Sequence, residues 1–132
     1  MNHTEQTEQT TVFEAAETLA RAILASAEWR ELRSAQTAAE KDPRLPDLLA
    51  RYRKLSFAQT DAQATGEAFA GPALVELITL QDRIRRHELY VRQQEAGNAV
   101  VGLLQRINKT ISERLGFNFA SSAAPSRGGC CG

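Results

Sequence analysis

The sequence predicts an all-α protein: a helical bundle of about five helices, with a disordered N-terminal lead-in and a Gly/Cys C-terminal tail. Three observations predict it. Ala, Leu, Glu, Gln and Arg, all good helix formers, dominate the interior of the 132-residue chain. Apolar residues recur at three- and four-residue steps, and no stretch alternates apolar with polar. Pro and Gly total four and eight, and Pro125, Gly128, Gly129 and Gly132 all fall near the C-terminus, so few breakers interrupt the interior. The length fits one domain. Its expected divisions are a lead-in over 1–10, a helical domain over 11–118 and a flexible tail over 119–132.

Residues 1–10 carry almost nothing to bury and read as disordered. The first helix is expected from about Val12 to Ala25, with Val12, Ala16, Leu19, Ala20 and Ile23 on one face. Ser26 reads as an N-cap for a second helix from about Ala27 to Lys41, with Trp29, Leu32 and Ala39 as its buried stripe. Asp42 before Pro43 is a second N-cap signal. It opens a third helix to about Ala68, with Leu45, Leu48, Leu49, Tyr52 and Leu55 inward. "AGPA" at 70–73 is the clearest loop, and the fourth helix after it turns Leu74, Leu77, Ile78 and Ile84 inward. A break is expected near His87 or Glu88. The last helix carries Ala96, Val100, Leu103, Leu104, Ile107, Ile111 and Leu115 at nearly heptad spacing, with Gly116 as its C-cap. Such a stripe calls for another helix, in this chain or in a second copy.

Sixteen basic and sixteen acidic residues cancel, which removes whole-molecule steering toward nucleic acid or an anionic membrane. The apolar run around Ala99–Leu104 is far too short to span a bilayer, and the N-terminus holds no apolar signal core. The expectation is therefore a cytoplasmic protein. No catalytic constellation stands out: HEXXH, GXXXXGK[ST] and GXGXXG are all missing. His87 reads as a solvated helix-end residue. Arg83, Arg85 and Arg86 form a basic patch that is either an anion or RNA-backbone contact or a solvated helix end. Asp82 and Glu88 flank it and favour the second reading. "RYRK" at 51–54 has the same standing. Trp29, the single tryptophan, is expected in the core.

The two cysteines, Cys130 and Cys131, are adjacent at the end of "SRGGCCG". Two thiolates suit zinc, copper(I) or an iron–sulfur cluster. They fill only half of a four-coordinate site, so the remaining ligands would come from another chain. A disulfide between neighbours is strained. A prenylation signal and an inert tail remain as other readings.

The run "AAETLARAILASAEWRELRSAQTAAEKDPRLPDLLARYRKL" resembles the YlbF/YmcA family of small helical bacterial regulators. Ser26, Glu28 and Trp29 stand near its Ser-Glu-aromatic signature, with Ala27 inserted; Asp42, Leu48, Leu49 and Tyr52 match the next helix. In "ELYVRQQEAGNAVVGLLQRINKTI", Tyr90, Glu95, Leu103, Leu104, Ile107 and Ile111 are similar to its final segment. Where the family often has Asn-Pro, this chain has His87-Glu88. The resemblance covers about residues 12–116. It implies an all-α, non-enzymatic regulator that associates with itself or with a YlbF/YmcA-like paralogue. It further implies a complex regulating competence, sporulation and biofilm formation, linked to iron–sulfur clusters and to mRNA processing by an endoribonuclease. Some members end in glycine-rich, cysteine-bearing tails, which adds weight to Cys130 and Cys131 as metal ligands. The alternative function is a metal or iron–sulfur binding protein whose Cys pair completes a site shared with another subunit.

Overall fold

In the computed structural model, which describes residues 2–125 and their side chains from residue 4, every regular element is a helix. There are six among the described residues: α1 (Asn2–Leu24), α2 (Ala27–Lys41), α3 (Leu45–Thr65), α4 (Pro72–Arg86), α5 (Glu88–Leu115) and α6 (Phe119–Ala123).

α1 starts ten residues before the expected Val12, so the stretch read as a disordered lead-in is helical from Asn2. Nothing in it breaks a helix, and its threonines fold back on the preceding turn. Thr10 Oγ1 donates to the Gln6 carbonyl at 2.7 Å and Thr11 Oγ1 to the Thr7 carbonyl at 3.0 Å. Ser26 caps α2 as its sequence position predicts, its Oγ accepting from Trp29 N–H at 3.2 Å. α3 starts later than Asp42–Pro43 suggests. The Asp42 carboxylate still serves that end, accepting from the N–H groups of Arg44 and Leu45 at 3.0 and 2.7 Å. α3 stops at Thr65 rather than Ala68, because Gly66 adopts φ 74°.

Gly116 closes α5 as expected, at φ 80°. A Cβ there would meet no atom within 4 Å, so Gly116→Ala carries a backbone penalty alone. We expect a cost of about 1 kcal/mol, seen as a lower thermal midpoint with the same far-UV CD spectrum.

α6 is an addition to the expected tail. Asn118 caps it by accepting from Ser121 N–H at 3.1 Å. Two polar side chains of α5 then bind its start: Phe119 N–H donates to Ser112 Oγ at 2.9 Å and Ala120 N–H to Asn108 Oδ1 at 2.9 Å.

Two antiparallel pairs make up the body. The most extensive pairing joins α2 to α5; the next is the α3–α4 hairpin. Arg92 of α5 reaches Glu31 of α2 at 2.8 Å, while Arg106, further along, reaches Glu28 at 3.5 Å. α2 buries Ala35 and Ala39, and α5 buries Ala96 and Val100, a seam of small side chains that lets the axes approach closely. The hairpin and its neighbours bury Leu45, Leu77, Leu80 and Ile84. The pairs meet where α2 passes to α3 and α4 passes to α5. The core between them is thin: eight buried apolar residues among the described ones.

The buried faces differ from the expected ones in detail. Ile78 is 56% exposed and Leu80, absent from the predicted face of α4, is 2% exposed. Leu104, in the middle of the α5 stripe, and Leu115, at its end, are also exposed. Trp29 is only half-buried, although its indole N–H is enclosed without a hydrogen-bond partner.

Candidate interaction surfaces

Three features stand out: a polar clasp at the junction, an arginine-lined groove beside it, and a helix whose apolar face is bare.

The clasp joins Asp42 to His87. His87 is the N-cap of α5, its Nδ1 accepting from Leu89 N–H at 3.3 Å. Its Nε2 lies 3.3 Å from Asp42 Oδ2. The neutral ring with its proton on Nε2 satisfies both contacts. His87 is thus half-buried and bridges two chain crossings, whereas its sequence context predicts a solvated helix end. The Asp42 carboxyl is held below its ordinary value of 3.8. The Leu45 N–H is the main cause; burial opposes it, and the Arg44 N–H and His87 reinforce it.

A depressed carboxylate pKa stabilises the fold fully above the ordinary Asp range, and that contribution disappears as pH falls through the depressed value. The protein is therefore expected to lose stability on acidification below about pH 4. Asp42→Asn should be less stable at neutral pH and should lose less on acidification. Urea midpoints measured across pH check this.

Next to the clasp, α3 and α4 enclose an open groove of 690 Å³. Arg44 and Arg51 line one side and Arg83 and Arg86 the other, over Pro43 and Leu48. Asp47 and Asp82 stand among them. The hairpin has brought together parts of two basic clusters that are far apart in sequence. Arg51 pairs with Glu76 at 2.6 Å and Arg86 with Asp82 at 3.0 Å. Arg44 and Arg83 have no ion pair among the described residues. Arg85 points elsewhere, toward Tyr52 and Tyr90, so the Arg83–Arg86 patch is divided between two surfaces.

The bare helix is α1. Its one substantial helix contact is with α2. Val12 and Phe13 are 67% and 69% exposed. Leu19 lies beside Ile107 and Ile111 of α5, so only the C-terminal part of α1 approaches the body. Phe57, Val75, Phe117 and Phe119 are exposed elsewhere. Single exposed apolar residues are ordinary, but contiguous ones mark contact surfaces.

Cys130 and Cys131, the predicted metal ligands, lie outside the described residues. Among the described residues no group of three or more His, Cys, Asp or Glu side chains is placed to hold a metal ion. No helix there is long and apolar enough to cross a membrane.

Among the described residues the chain is all-helical, and its salient features are surfaces suited to contact. Residues 12–116 match the family described as control of competence regulator ComK, YlbF/YmcA, and the chain belongs to that family. No curated protein and no solved structure matches it.

Proposed function

We propose that this chain is a non-enzymatic cytoplasmic regulator that works by binding other protein chains, a second copy or a family paralogue first among them. The observation that carries the reading is α1, a helix of 23 residues with Val12 and Phe13 bare. Helical stability in proteins comes mostly from packing an amphipathic face, and α1 has little to pack against in its own chain. The chain's accessible surface supports the same reading. It is 10638 Å², against about 6,900 Å² for a compact monomer of 14.5 kDa. Membership of a family named for the control of a regulator fits a protein that acts through contacts. A role in a complex linked to mRNA processing by an endoribonuclease belongs to this reading as an expectation from the family.

Light scattering on the purified chain tests it. A dimer, of twice 14.5 kDa, is expected in the micromolar range. A monomer at high micromolar concentration that also captures no paralogue would refute the reading. A metal site completed across subunits by Cys130 and Cys131 is tested separately, by metal analysis after anaerobic purification. Metal content unchanged in Cys130→Ser/Cys131→Ser would remove it.

A further inference from the structure

We propose that the tip of α1 docks in the α3–α4 groove of a second copy of this chain. The inference rests on the self-association reading and gives it an address.

The tip is chemically distinctive. Glu5, Glu8, Gln9, Val12 and Phe13 share one face of α1. No Lys or Arg occurs between residues 4 and 20. Neither Glu5 nor Glu8 has an ion pair among the described residues. The tip therefore offers two free carboxylates followed by two bare apolar side chains.

The groove offers the complement. Arg44 and Arg83 are free of ion pairs, and Leu48 and Pro43 supply an apolar floor. The pair Arg86–Asp82 is a surface contact with side chains 80% and 56% exposed, so Arg86 can turn to a better-placed carboxylate at little cost. Guanidinium groups suit this role because their planar fork matches a carboxylate. Lengths match as well. Residues 5–13 rise about 12 Å along a helix, and Arg44 to Arg51 about 10 Å.

Within one chain the tip and the groove do not meet. A two-fold pair of chains brings each tip to the other's groove, satisfies both at once and closes the assembly. A phosphate backbone is the poorer occupant. It brings no apolar side chain to cover Pro43 and Leu48, and the groove presents no aromatic ring on which a base could stack.

Charge exchange tests the proposal, with sedimentation equilibrium as the readout and CD confirming that each variant folds. Glu5→Arg/Glu8→Arg and Arg44→Glu/Arg83→Glu should each raise the dimer dissociation constant at least tenfold. The chain carrying all four changes should recover most of the loss, because the pairs re-form with reversed sign. A dimer indifferent to both double variants would overturn the docking site while leaving self-association intact. A wild-type monomer would overturn both. Single-stranded oligouridylate binding that is lost in Arg44→Glu/Arg83→Glu, with the dimer unchanged, would assign the groove to nucleic acid instead.

Discussion

Leu80→Ala is expected to lower the unfolding free energy by about 3 kcal/mol, within the usual range of about 2–5 kcal/mol for such truncations. Leu80 is 2% exposed and, with Leu45, is one of the two largest fully buried side chains. Burying a leucine is worth roughly 1.5–3 kcal/mol, and the cavity left behind adds to the loss. The effect matters more here than in a thick-cored domain. Only Ala35, Ala39, Leu45, Leu77, Leu80, Ile84, Ala96 and Val100 form the buried core of the described residues. A loss of that size removes a large part of a total that is about 5–15 kcal/mol in ordinary domains. Urea denaturation should show a lower midpoint with an unchanged slope. Ile78→Ala, two residues away and 56% exposed, should change stability by less than about 0.5 kcal/mol.

Ala35→Leu is expected to cost about 1–3 kcal/mol by overpacking. Ala35 is 0% exposed in the α2–α5 pairing, opposite a helix whose own buried residues are Ala96 and Val100. Three added carbons have no space unless the helices part. Parting them lengthens the contacts of Arg92 with Glu31 and Ser34, now 2.8 and 3.1 Å. The Arg92 hydrogen bond chiefly, with the charge of Arg92, holds the Glu31 carboxyl below its ordinary value. The substitution should therefore lower the thermal midpoint and release the Glu31 carboxyl toward that ordinary value, followed by NMR titration.

These two positions show what the sequence made legible. Helix formers and period made the five main helices readable, and Ser26 and Gly116 made two of their ends readable. Which side of a helix is deepest was less legible. Ala35 is small and carries little hydrophobic signal, whereas Trp29 and Leu32 carry much. Yet the close approach of α2 and α5 selects small residues for the seam and leaves the large ones half-buried. α4 turns Leu80 inward rather than Ile78, because its face is set by the hairpin with α3.

The clasp was illegible for a different reason. Asp42 and His87 lie at two separate junctions, and only tertiary structure places them 3.3 Å apart. The same holds for the groove: Arg51 and Arg83 belong to two basic clusters far apart in sequence that only the α3–α4 hairpin joins. α6 depends on Asn108 and Ser112, polar residues of another helix, and its own composition resembles a tail. The first turns of α1 hold few buriable residues, a signal for disorder that does not by itself exclude a helix. Threonine back-bonds and the absence of breakers allow a helix there, and that helix then needs a partner.

That need is the central claim, and hydrogen exchange of the α1 amides as a function of protein concentration tests it most directly. An unpartnered helix exchanges quickly, since little opposes its local opening. The account predicts that amides of residues 4–20 gain protection as concentration rises through the dimer dissociation constant, while those of α2 and α5 are protected throughout. Fast exchange in α1 at every concentration, in a sample shown to be dimeric, would contradict it.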